Sequence, residues 1–212
     1  MHKALRLLAA SAAMSFSLVA ASEAATATFT NSQSTPKVQL TIDDAAAPGK
    51  LRFSFSTLLG TADYLGLGFN FDGLLTNDSL KLVSATRADG KAITPALQLY
   101  GNGSSQVGSC GAGCNFNGSE SASLFDYIVR IGSNGGGQNN YVASVVFDIM
   151  TTAKLGDLSQ FAFRAQATSN PGGSIKADLE QQPAPVPLPA SALLLLAGLG
   201  GFGALRRRKQ RA

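Results

Sequence analysis

Tyr64-Leu65-Gly66-Leu67-Gly68-Phe69-Asn70-Phe71 alternates large apolar residues with glycine or asparagine. At period two, Leu65, Leu67, Phe69 and Phe71 share one face, with the glycines opposite. That pattern predicts a strand with one buried side. The same period recurs on both sides of the stretch. Val38, Leu40 and Ile42 alternate with Lys37, Gln39, Thr41 and Asp43, and Leu51, Phe53 and Phe55 alternate with Arg52, Ser54 and Ser56. Further on come Leu80 and Leu82, Leu97 and Leu99, then Phe125, Tyr127, Val129 and Ile131, the run from Tyr141 to Ile149, and Phe161, Phe163, Ala165 and Ala167. Thr26–Thr30 and Ser174–Leu179 are weaker strand segments at the borders.

Turn formers separate these runs. Pro48-Gly49, Asp72-Gly73, Ala88-Asp89-Gly90-Lys91, the Gly/Asn-rich stretch from Ser133 to Asn140, and Asn170-Pro171-Gly172-Gly173 each interrupt the alternation. These residue types close hairpins because they tolerate positive φ or bond their own backbone. No helical period of 3.6 runs through the region, apart from a short helical turn expected within Thr151–Leu158. Many short strands with polar turns predict an all-β fold, an antiparallel β-sandwich with a jelly roll as one arrangement and a barrel as second choice. The stretch from Gly101 to Ser123 lacks the pattern and is rich in Gly, Ser and Asn, so it is expected to be a long surface loop.

The two ends read differently. His2, Lys3 and Arg6 give a positive start, Leu7 to Ala21 is mostly apolar, and Ser22-Glu23-Ala24 ends in small residues. This is the pattern of a signal peptide over residues 1–24, cut between Ala24 and Ala25; a retained membrane helix is the alternative. At the other end a proline-rich spacer, Pro183-Ala184-Pro185, leads into Val186-Pro187-Leu188-Pro189-Ala190. An apolar run over 190–205 follows, then Arg206, Arg207, Arg208, Lys209 and Arg211. Such a run is just long enough to cross a bilayer as one transmembrane helix, and the basic cluster holds its far end on the cytoplasmic side. The expected organisation is therefore a signal peptide (1–24), an extracytoplasmic β-domain (25–182) and a tail (183–212).

The proline motif, apolar run and arginines, in that order, resemble the sorting tail of bacterial PEP-CTERM exported proteins. Leu188 stands where the motif's eponymous glutamate is found, giving a VPLPA-type variant. The resemblance implies recognition by an exosortase, a multi-pass membrane enzyme, and a setting of exopolysaccharide and biofilm. An ordinary unprocessed membrane anchor is the alternative.

Composition narrows the chemistry of the middle. Net charge is +4, but seven of the 17 Lys and Arg lie in the signal and tail segments. The ten that remain face 12 carboxylates once Glu23 is set aside, so the domain itself is weakly acidic and offers no basic patch for nucleic acid. The one histidine is His2, which leaves the domain without Ser-His-Asp or Cys-His catalysis and without imidazole ligands for zinc. No tryptophan is present, so a carbohydrate platform would have to use Tyr64, Tyr100, Tyr127 or Tyr141. Cys110 and Cys114, spaced by Gly-Ala-Gly, are expected to form a disulfide in an oxidising compartment and to staple the long loop. The redox alternative lacks the C-x-x-C spacing.

Asp43, Asp44, Asp63, Asp72, Asp78, Asp126 and Asp148 are the carboxylates available for acid–base work. Most sit in turns, and Asp126 and Asp148 fall between core positions, so all are expected to be solvated or turn-capping. Asn70, Asp72 and Asp78 are the candidate calcium ligands, since hard oxygens cluster there near a strand end, without the spacing of an EF-hand loop. The expected function is a non-enzymatic surface or matrix protein that contacts exopolysaccharide or other matrix proteins. A carbohydrate-binding module and a polysaccharide hydrolase are the alternatives.

Overall fold

The chain's order of elements follows the alternation closely. In a computed structural model, which describes residues 25–117, 123–133, 141–169 and 173–183, the strands are β1 (Thr26–Thr30), β2 (Lys37–Asp43), β3 (Lys50–Leu59), β4 (Asp63–Phe71), β5 (Leu80–Thr86), β6 (Gln98–Tyr100), β7 (Tyr127–Arg130), β8 (Ser144–Met150), β9 (Leu158–Gln166) and β10 (Ser174–Gln181). Two short 3-10 turns, Asn77–Ser79 and Leu155–Asp157, complete the described elements. The second falls inside the stretch expected to make a helical turn.

Pairing is antiparallel throughout, in the order β5-β8-β3-β2-β1-β10-β9-β4-β7-β6. The registers are those the apolar pattern requires. Leu40 faces Phe55 and Ile42 faces Phe53 across β2 and β3, and Phe53 in turn faces Phe147 of β8. A one-residue slip would turn each of these side chains to the wrong side. Chain crossings fold the two halves of the sheet over one another, so aromatic rings meet between them. Phe29 lies 4.6 Å from Phe161, Phe55 5.7 Å from Phe163, and Phe53 5.9 Å from Phe69, ring centre to ring centre. Burying each such ring contributes about 1.5–3 kcal/mol, which makes this aromatic seam a main source of stability.

The all-β antiparallel prediction holds, but the halves are not separate sheets. The two border strands join them: Phe29 pairs with Gln181 and Thr30 with Glu180. The result is one sheet rolled nearly into a barrel, with β5 and β6 as its outermost strands. Buried Asn31 secures the turn that follows β1, accepting from Val38 N–H at 2.8 Å and donating to the Pro36 carbonyl at 2.9 Å.

Two expectations for facing residues need correction. An irregularity between Tyr64 and Gly66 shifts the register of β4 on β9. Tyr64, Leu67 and Phe69 therefore enter the main core, while Leu65 joins a second apolar cluster on the opposite side. In the same way Tyr127, Val129 and Ile131 point into the main core, whereas Phe125 and Ile128 belong to the second cluster. Strand β4 is buried on both faces, because something covers its glycine side.

Among the described residues no helix is long and apolar enough to cross a membrane. The signal peptide and the transmembrane helix expected over 190–205 both lie outside the described residues, as do the motif Val186–Ala190 and the basic cluster.

Candidate functional site

The cover over β4 is the loop that the sequence marks as exposed. Val107 and Phe125 exchange backbone hydrogen bonds at 2.7 and 2.9 Å, Cys110 N–H reaches Cys114 O at 2.7 Å, and Phe116 N–H reaches Gly108 O at 2.8 Å. These bonds fold residues 107–116 into a small ribbon lying on the outside of the sheet. Cys110 and Cys114 stand at disulfide distance, Cα atoms 5.1 Å apart, as their spacing predicts. Both are fully buried with Phe116, Phe125, Leu65, Ile128 and Ala162, so the loop carries a core of its own. The expectation of a plain surface loop is corrected here: two phenylalanines and two cysteines are enough apolar surface to dock it.

The docking surface is a trough made by glycine. A Cβ on Gly66 would lie 2.7 Å from Cys114 Sγ and 2.9 Å from Cys110 Sγ, and one on Gly68 would lie 2.6 Å from the Phe125 ring. Here the missing side chains are what the loop occupies.

A row of cations holds the loop's edges. Register places Arg130, Gly66, Arg164 and Lys176 side by side across β7, β4, β9 and β10. Arg130 donates to the Cys110 carbonyl at 2.6 Å and to the Ala112 carbonyl at 3.3 Å. Lys176 donates to Asn115 Oδ1 at 2.8 Å and to the Asn117 carbonyl. Burial pushes the Arg164 guanidinium below its ordinary pKa, and burial together with Arg164 pushes Lys176 down. The polar slots of three alternating strands carry these residues, and that placement was the signal that could have identified them.

The carboxylates are dispersed. Asp148, expected to be solvated, points away from the core but is almost buried. It accepts from Lys50 Nζ at 2.6 Å and from Arg52 at 2.8 and 3.0 Å. The Arg52 guanidinium, ahead of Lys50, holds its carboxyl below the usual range. Asp63, also expected in a solvated turn, is 1% exposed and accepts from Val142 N–H and Gln166 Nε2, each at 2.8 Å. Burial pushes its pKa up. Asp126 Oδ2 accepts from Phe71 N–H, while Asn70 Oδ1 accepts from Asp126 N–H, both at 3.1 Å. Of the calcium candidates, Asn70 is thus engaged in this reciprocal clamp, and Asp72 and Asp78 are exposed. Among the described residues no three His, Cys, Asp or Glu side chains are grouped to hold a metal ion. Tyr64 and Tyr127 are fully buried, which takes two of the four tyrosines out of any sugar-stacking surface.

The chain leaves the sheet at the seam. Gln182 N–H donates to Thr28 O at 2.7 Å, extending the β10–β1 ladder one residue past the strand. Described structure ends at residue 183, immediately before the motif. The fold and this exit together define a β-domain whose described residues end shortly after its last strand. The family model described as the PEP-CTERM protein-sorting motif matches residues 185–209, so the tail of the chain is similar to that motif. That motif implies export and recognition by an exosortase, a membrane processing enzyme. No curated protein and no solved structure matches the chain.

Proposed function

We propose that the chain is an exported, non-enzymatic surface or matrix protein, held transiently in the membrane by residues 190–205 and released or transferred by an exosortase that reads Val186–Ala190. The observation that carries this reading is the sorting-motif match beginning at residue 185, three residues beyond Gln182, the last of the described residues bonded to the sheet. Pro183 and Pro185 suit an extended, accessible approach to the processing enzyme. The Cys110–Cys114 pair suits an oxidising compartment.

The domain is the cargo, and exopolysaccharide or other matrix proteins are its partners. One observation favours carbohydrate contact. The outer face of the other half carries a row of hydroxyls, Thr28, Thr41 and Ser54, aligned across β1, β2 and β3. Such a row offers donors and acceptors to sugar hydroxyls.

Changing Pro187 and Pro189 to alanine in the native host tests the sorting role. Accumulation of unprocessed, membrane-retained protein is expected. Unchanged processing and localisation refute it. Glycan-array binding that falls when Thr41 and Ser54 become alanine would support the carbohydrate contact.

A further inference from the structure

At the start of β1 the Ala25 backbone nitrogen lies 3.1 Å from Oδ1 of Asp44. The Asp44 N–H returns a bond to the Ala25 carbonyl at 3.2 Å. The second carboxylate oxygen, Oδ2, accepts from Leu155 N–H at 3.4 Å, which fixes the carboxylate's orientation from a third element. Asp44 therefore faces the nitrogen of the very bond that Ser22-Glu23-Ala24 marks for cutting.

Hydrolysis changes the chemistry of that nitrogen. Water adds across the Ala24–Ala25 amide; the carbonyl carbon keeps the water oxygen and becomes a carboxylate. The nitrogen leaves with the electron pair of the broken bond and takes up protons to become an ammonium. One neutral N–H donor is replaced by three donors and a unit positive charge.

We propose that Asp44 is a built receiving site for the α-ammonium group created at Ala25, so that signal removal completes an ion pair the precursor lacks. The inference rests on the export reading and adds to it a role for the cut end. The surroundings favour a cation. The groove that Ala25 lines also presents Asp44, Asp178 and Glu180 against a single cation, Lys154. One oxygen of Asp178 is buried without a hydrogen-bond partner among the described residues. Thr26 pairs with Asp43, so β2 itself holds the cut end beside the carboxylate.

The test uses the exported protein purified from its native host. N-terminal sequencing defines the first residue. Reductive 13C-methylation of the α-amino group, followed by NMR titration, then reads its pKa in wild type and in Asp44→Asn. The expected first residue is Ala25. Its amine is expected to titrate above the ordinary value near 8 by on the order of half a unit, equivalent to about a threefold preference for the protonated form in the folded state. The shift is expected to vanish in Asp44→Asn, and also in wild type unfolded by urea, so it remains readable if the variant does not fold. An Ala25 amine titrating alike in the folded and unfolded wild type overturns the proposal and leaves export intact. So does an exported chain beginning at another residue. A chain that retains residues 1–24 and stays in the cytoplasm overturns both.

Discussion

Gly66→Ala should destabilise the domain, and the cause should be the two sulfurs. Alanine in a strand ordinarily gains about 0.5–1 kcal/mol over glycine, because glycine loses more backbone freedom on folding. At position 66 the added methyl would stand 2.7 Å from Cys114 Sγ and 2.9 Å from Cys110 Sγ, with Ile128 Cγ2 at 3.5 Å closing the third side. A relaxed carbon–carbon contact needs about 3.5–4.0 Å, and sulfur is no smaller, so the loop must lift by about 1 Å. Arg130 resists that movement, since it grips the Cys110 and Ala112 carbonyls. Overpacking of this kind costs about 1–3 kcal/mol, enough to reverse the sign of the ordinary glycine-to-alanine effect. For a domain of this size it corresponds to a fall in Tm of about 2–4 °C per kcal/mol. Urea denaturation of the exported protein gives the number directly. The same substitution in a Cys110→Ala, Cys114→Ala background isolates the clash, with a coupling of about 1–3 kcal/mol expected. Gly156→Ala is the control: nothing lies within 4 Å of its Cβ position, and it should be near neutral. A neutral or stabilising Gly66→Ala, or a cost that survives removal of both sulfurs, would refute the docked-loop account.

Asp63→Ala strips the acceptor from buried Val142 N–H and should cost about 1–3 kcal/mol in chemical denaturation; a change below about 0.5 kcal/mol would contradict the role given to this carboxylate. Asp148→Asn should cost about 1–3 kcal/mol near neutral pH. Because the folded carboxyl is held below its ordinary range by Arg52, its contribution is present above the ordinary value and fades as pH falls through the depressed one. Wild type and variant should therefore converge in urea titrations below about pH 4, and a constant gap would count against the ion pair. Tyr127→Phe removes a hydroxyl that donates to Gly73 O at 2.6 Å and accepts from Leu75 N–H at 3.1 Å, so a loss of about 1–2 kcal/mol is expected in thermal unfolding.

The strands were legible because alternation is a local signal. Val38–Ile42 and Leu51–Phe55 face the core as read. What periodicity does not carry is partnership. Nothing in Thr26–Thr30 or Ser174–Gln181 says that these border strands pair with each other, and that single pairing turns two expected sheets into one. Phe116 sits in a Gly/Ser-rich stretch with no period, and Phe125 reads as one more residue of the Tyr127–Ile131 alternation, so a core built by the loop itself was invisible. The glycines of β4 could be read as a bare face but not as a covered one. Asp63 and Asp148 read as solvated in the sequence because their partners, Val142 and Gln166 in one case and Lys50 and Arg52 in the other, are distant in the chain or across strands. The sorting motif needed no fold to be recognised, since proline, apolar run and arginines act in linear order.

The exit at Gln182 also sets how the domain meets mechanical load. A pull applied through residue 183 runs along β10, whose ladder bonds to β9 and β1 lie across that direction. Tension along the strand therefore loads those bonds together, in shear, instead of opening them one after another like a zip. A tether fastened at this point drags on the strand in the geometry in which a sheet yields last.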